Sequence, residues 1–345
     1  MTANATNHTH RFGTLDGLRG LAALAVVMQH STTDWLTPAR GGLAVDLFFI
    51  LSGFVLAFSY QSRLQGLRDF APFIVRRVIR LYPLYLFGLG LGVSAYLLTS
   101  ISDGSFWPTQ MIAAAGLNAA FLPVPPDLAP GGIFVFPFNP PGWSLSWEMF
   151  ISIAFGLAAP FLSNRVLTAI LGVSAIGLCW VILSYGSNDL GSYWTTFWFG
   201  SLRVIWGFAC GVGLYRLFKA GRLPKEIRGL GPIALLILLF VPMPDDIRPF
   251  VELSVALVGL PLIVAFSTGP SAGRVLNYLG RISFAVYIVH WPINVALQHF
   301  DLDRGTLLSL LITLPVAAIL EVADEAFRAR LTALVFKRRQ PQAAT

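Results

Sequence analysis

Charge is scarce in this 345-residue chain: Asp, Glu, Lys and Arg together make up 12%, about half the fraction of a soluble protein. Cysteine is scarcer still. Cys179 and Cys210 both lie in apolar segments, so no disulfide framework or thiolate metal site follows and both read as small buried hydrophobes. No group of His, Cys, Asp and Glu has the ligand spacing of a zinc or di-iron site, so no metal is expected. No internal repeat of the kind that marks many transporters is visible.

Hydrophobic residues, in contrast, make up 55%, with a mean hydropathy of +0.69. Apolar stretches long enough to span a bilayer recur from end to end, which predicts an all-α, polytopic transmembrane helical bundle. The pattern places about ten spans near 15–33, 43–61, 82–100, 143–162, 166–184, 197–218, 229–244, 250–267, 281–299 and 305–326. The first is followed by others and carries Asp16 and Arg19 at its start, as a retained helix does and a cleaved signal does not. The chain divides into an N-terminal tail (1–14), one integral membrane domain (15–335) and a C-terminal tail (336–345).

The net charge of +7 does not point to nucleic acid, because the basic residues fall in short interhelical loops. Arg63, Arg68, Arg76, Arg77 and Arg80 follow the second span. Arg216, Lys219, Arg222, Lys225 and Arg228 mark another inner loop, and Arg328, Arg330, Lys337, Arg338 and Arg339 the last. The opposite loops hold Arg40, Arg248 and Arg304 and several acids, Asp189 among them. Both termini are therefore expected on the cytoplasmic side of the cell (inner) membrane. Ten spans agree with this only if 107–122 does not cross, so it is expected to be interfacial or re-entrant. The Pro- and Gly-rich run 123–142 is too broken for a helix and is placed outside, as a lid over an outward-facing site or as a linker.

Arg19 and His30 are eleven positions apart in the first span. Helical geometry sets them within about 20° of each other and about 16 Å apart along the axis. A cation at one face and a titratable imidazole on the same buried stripe are costly in a bilayer. Asp46, Glu148 and Arg203 fall at a similar depth in the second, fourth and sixth spans, which predicts one shared polar cavity in the outer third of the membrane. Other readings exist for each: Glu148 pairing with Arg203 to hold helices together, Asp46 capping its helix, and His30 hydrogen-bonding a neighbouring helix. His290 fits either the same cavity or a satisfied core. Glu321, Asp324 and Glu325 are expected to pair with nearby arginines. In the basic stretch FIVRRVIRLYP (73–83), Arg76, Arg77 and Arg80 occupy one turn. Guanidinium forks match phosphate oxygens, so a phosphorylated cytosolic ligand competes here with anionic lipid.

Five segments together resemble the acyltransferase 3 family of multi-pass membrane acyltransferases. LDGLRGLAALAVVMQH (15–30) holds an Arg-x10-His pattern as Arg19 and His30. VDLFFILSGFVL (45–56), RRVIRLYPLY (76–85), PGWSLSWEMF (141–150) and ISFAVYIVHWPI (282–293) follow in the family's order. The resemblance covers nearly the whole chain and implies transfer of an acyl group, acetyl being commonest, from a cytosolic donor, usually acyl-CoA, to a hydroxyl. The implied acceptor is a carbohydrate, cell-surface glycan or related molecule. It makes acyl-CoA a co-substrate, with no bound cofactor, and 15–335 the acyltransferase domain.

On this reading Arg19, Arg76, Arg77 and Arg80 bind the donor. His30 is the general base, suited by a reference pKa of about 6.5, with Asp46 or Glu148 orienting its ring. Trp143, Ser144, Ser146, Arg203 and His290 are candidate acceptor or oxyanion contacts. The rival is a secondary transporter or flippase, which shares intramembrane charge and Pro/Gly interruptions.

Overall fold

The computed structural model describes residues 12–31, 35–102, 107–270, 273–302 and 305–337. The ends 1–11 and 338–345, and Arg304, Arg338 and Arg339 of the charge pattern, lie outside the described residues. The described residues form the helices α1 (Gly13–Gln29), α2 (Leu43–Tyr60), α3 (Leu67–Ser102), α4 (Pro108–Ala119), α5 (Gly142–Ala158), α6 (Asn164–Tyr185), α7 (Phe197–Lys219), α8 (Leu230–Phe240), α9 (Arg248–Ser254), α10 (Leu260–Ala265), α11 (Arg274–His299) and α12 (Thr306–Lys337). A π-helical turn, Val255–Gly259, joins α9 to α10. No strand forms among the described residues; Phe134 and Tyr193 share an isolated bridge.

Among the described residues, seven helical segments are long and apolar enough to cross a membrane, the joined α9–α10 counting as one. The other three expected crossings correspond to α1, of 17 residues, α8, of 11, and α11, of 26 residues with more polar groups.

The caps explain the cleanest boundaries. Ser163 accepts from the Val166 amide at 3.3 Å at the start of α6, and Gly186 ends it at φ 72°, a conformation glycine adopts without a Cβ penalty. The expected span 82–100 is only the second half of α3, which runs unbroken for 36 residues through Pro72 and Pro83. Each proline removes one ladder hydrogen bond, a loss that neighbouring helices let a membrane helix carry. Arg76, Arg77 and Arg80 therefore sit on a rigid helix rather than in a loop.

α4 has 12 residues, about 18 Å of rise against a hydrocarbon core of about 30 Å. The run after it carries no helix until Gly142 opens α5 and folds back as wall material. Val124 N–H donates to the Val135 carbonyl at 2.8 Å, and Val135 N–H to Ser192 at 3.0 Å.

Small residues set the tightest helix contacts. A Cβ on Gly20 of α1 would lie 2.7 Å from the Gly280 backbone of α11, and a Cβ on Gly53 of α2 would overlap the Phe208 carbonyl of α7. With little hydrophobic drive between helices in lipid, such close backbone approach supplies the dispersion contacts that hold them.

Candidate active site

Two cavities hold the expected site residues. The first, of about 190 Å³, is lined by Arg19 of α1, Ser52 of α2, Arg77 and Arg80 of α3, Ser144 and Glu148 of α5 and Tyr287 of α11. The second, of about 200 Å³, is lined by Gln29 and His30 of α1, Phe134 and Pro141 of the folded-back run, Trp143, Asp189, Tyr193, Arg203, Tyr287 and Trp291.

The first cavity is an arginine cleft. Arg77 Nη2 meets Glu148 Oε1 at 2.6 Å, and its Nε donates to Ser152 Oγ at 3.2 Å. Ser52 Oγ also donates to Glu148. Arg19 pairs with Asp16 at 3.1 Å on a part-exposed surface. Arg80 is exposed inside the cleft, with no carboxylate within salt-bridge distance among the described residues. Arg76 lies elsewhere, its guanidinium 4.1 Å from the Phe336 ring centroid, and does not line the cleft. With Arg77 paired to Glu148 and Arg19 to Asp16, Arg80 is the lining cation whose donors face the cleft without a carboxylate among the described residues, a setting that favours an anion.

His30 closes α1 at the edge of the second cavity. Its Nδ1 lies 2.9 Å from the Val26 carbonyl and 3.3 Å from His290 Nε2. His290 Nδ1 lies 2.9 Å from the Tyr287 carbonyl. Carbonyls only accept, so each ring carries its proton on Nδ1. His290 Nε2 then accepts from His30, whose own Nε2 is left with no partner among the described residues and a lone pair. The turn is braced from behind: Asn294 Nδ2 donates to the His30 carbonyl at 3.0 Å, and Ser31 Oγ bonds Thr306 Oγ1 at 2.7 Å. Trp291 packs edge-on to the imidazole at 5.4 Å.

Of the four groups expected in one cavity, His30 and Arg203 line the second cavity together, while Glu148 lines the first and Asp46 lines neither. Asp46, almost wholly buried, takes Arg203 Nε at 3.0 Å and Nη2 at 2.8 Å and is further bonded by Asn188 Nδ2 at 2.7 Å. Arg203 spends its remaining donors on the carbonyls of Leu190, at 2.7 Å, and Gly42, at 2.9 Å. Glu148 belongs to the arginine cleft. Ser146 Oγ donates to the Phe121 carbonyl at 2.7 Å and faces neither cavity. Ser144 bonds the Tyr287 hydroxyl at 2.7 Å. Trp143 lines the second cavity beneath the Arg203 guanidinium, 5.2 Å from its ring. At the inner end of α12, Arg328 pairs with Glu321 at 3.1 Å and Asp324 at 2.6 Å.

A family model for an acyltransferase domain, acyltransferase 3, matches residues 12–322. The chain belongs to the acyltransferase 3 family. The acyltransferase is 28% identical to acyltransferase MdmB of Streptomyces mycarofaciens, over 82% of this chain and 79% of that one. It is 29% identical to a protein named membrane-bound transacylase BcsY of Komagataeibacter xylinus, over 96% and 85%. A 36% match to protein 2 in the picA locus of Rhizobium radiobacter covers 49% of this chain and 93% of that one. No solved structure matches. Family membership makes the protein a multi-pass membrane transferase working on an acyl donor and a hydroxyl-bearing acceptor, and decides against the transporter reading.

Sequence reasoning passed over several residues that line the cavities of the acyltransferase. Tyr287 precedes His290 by three positions, hence on the same helix face, a signal that was available. Asp189, the carboxylate that lines the His30 cavity, stands in a loop where no periodicity marks it. Tyr193 and Phe134, stacked at 5.3 Å, meet only through tertiary folding.

Proposed function

We propose that the protein is an acyl-CoA-dependent O-acyltransferase that carries an acyl group, acetyl in the first instance, from the cytosol to a hydroxyl on the outer side of the cell membrane. The observation that carries this is the pairing of an arginine cleft with an imidazole whose Nε2 is free in a second cavity. The donor's phosphates sit on Arg80, Arg77 and Arg19, and its arm runs along the α1 stripe toward His30. Helical rise makes that distance about 16 Å.

At its end, His30 Nε2 takes the proton of the acceptor hydroxyl as that oxygen attacks the thioester carbonyl. The C–S bond breaks, the acyl group leaves as an ester on the acceptor, and the imidazolium returns the proton to the CoA thiolate. His290 holds the ring in the required tautomer, the place a carboxylate takes in a triad. The acceptor is a carbohydrate, lying against Trp291, Tyr193 and Phe134, with Asp189 to receive its hydroxyl protons. On this reading the cleft faces the cytoplasm, both termini lie inside, and α1, α8 and α11 are the three crossings beyond the seven apolar helices.

Purified protein given labelled acetyl-CoA and a panel of glycosides tests this. Ester-linked label on an acceptor supports it; binding of the acceptor with no covalent change contradicts it.

A further inference from the structure

Tyr287 lines both cavities. Its hydroxyl lies 2.7 Å from Ser144 Oγ, which lines the arginine cleft, and donates to the Pro141 carbonyl at 3.0 Å, which lines the His30 cavity. Phe48, on the cleft side, packs edge-on to the phenol at 5.6 Å. The side chain is buried, 5% exposed. Tyr287 is thus a wall residue common to both chambers, latched by hydrogen bonds at the tip of its ring.

The backbone beside the ring is weakened on the same side. Pro292 lacks the N–H that would bond the Ile288 carbonyl. That carbonyl instead accepts from Asn139 Nδ2 at 2.9 Å, so a side chain of the folded-back run replaces a rung of the α11 ladder one residue beyond Tyr287. At this turn α11 is tied to the folded-back run by a side chain where its own ladder has a missing rung.

We infer that Tyr287 is the gate between the donor and acceptor chambers, shut by Ser144 and the Pro141 carbonyl, and that its rotation opens the path by which a linear thioester arm reaches His30. This rests on the two-chamber acyl-transfer reading. Shut, the gate keeps outer water from the thioester; open, it is filled by the arm itself. Tyr287 touches no reacting atom in this scheme and acts as a positioning residue.

The test is thiol labelling in full-length protein carrying Ser192→Cys in the outer chamber. The parent with Cys179 and Cys210 alone serves as baseline, and a small membrane-impermeant methanethiosulfonate is applied to right-side-out and inside-out vesicles. The new thiol is expected to react from the outer face only, and Tyr287→Ala to raise its rate from the cleft face at least tenfold. Tyr287→Phe keeps the ring and loses the latch; it is expected to raise that rate several-fold, and carries the test if the alanine variant loses its outer-face labelling through misfolding. An unchanged cleft-face rate in a folded variant, or equal labelling from both faces in the starting protein, overturns the gate. Coenzyme A on the cleft side is expected to block labelling of Tyr287→Ala. If labelling is faster but coenzyme A does not block it, the gate stands and the donor reading fails.

Discussion

His290 Nε2 stands 3.3 Å from His30 Nδ1, so the group that orients the half-buried imidazole of His30 is a second imidazole and not a carboxylate. A neutral acceptor in that place fixes the tautomer of His30 without adding charge to the chamber. His290→Ala is expected to lower kcat by about 100-fold through misaimed attack, with little change in KM for either substrate. His290→Gln, which retains an acceptor at a similar reach, recovers part of that loss. Steady-state kinetics on the two variants check this.

Arg80 is the cleft arginine without a carboxylate partner, and charge-assisted hydrogen bonds are worth about 1.5–3 kcal/mol. Arg80→Ala is therefore expected to raise KM for acetyl-CoA by roughly 10- to 100-fold. Arg76, stacked on Phe336 outside the cleft, is the matched control, and Arg76→Ala is expected to leave KM within about twofold.

The Asp46–Arg203 pair is among the most buried charge in the molecule, at 5% and 1% side-chain exposure. Removing one partner strands the other, at a cost of about 3–5 kcal/mol. Arg203→Ala is expected to lower the Tm in detergent markedly, and Asp46→Leu combined with Arg203→Met to restore part of the loss. Thermal unfolding of the singles and the double measures the coupling.

Two glycines separate close packing from open space. A Cβ at Gly53 would collide with the Phe208 backbone, while one at Gly90 meets nothing within 4 Å. Gly53→Ala is expected to destabilise by about 1–3 kcal/mol. Gly90→Ala, in the middle of α3, is expected to be neutral or stabilising by up to about 1 kcal/mol.

The apolar segments made the helical architecture legible, and the Arg-x10-His stripe and the late Ser-Tyr-His-Pro segment pointed to the right pieces of the site. Counting residues from a helix start gives depth, but it does not say which neighbour a side chain faces. Asp46 and Glu148 were placed at one level, yet Asp46 turns toward α7 to meet Arg203, while Glu148 turns toward Arg77 on α3. Arg77 itself falls outside the span expected at 82–100, whereas α3 begins at Leu67 and runs unbroken through Pro72 and Pro83. Asp189 and Phe134 were out of reach for another reason. They enter the second cavity through loop conformations fixed by distant hydrogen bonds, such as Val135 to Ser192.

The central claim is that His30 is the base for acyl transfer, and the most direct measurement is transfer of labelled acetyl from acetyl-CoA to a hydroxyl acceptor by purified His30→Ala. The account predicts transfer reduced by at least 100-fold, in a protein that inserts and unfolds at the temperature of the parent. Transfer near the parent rate would contradict it.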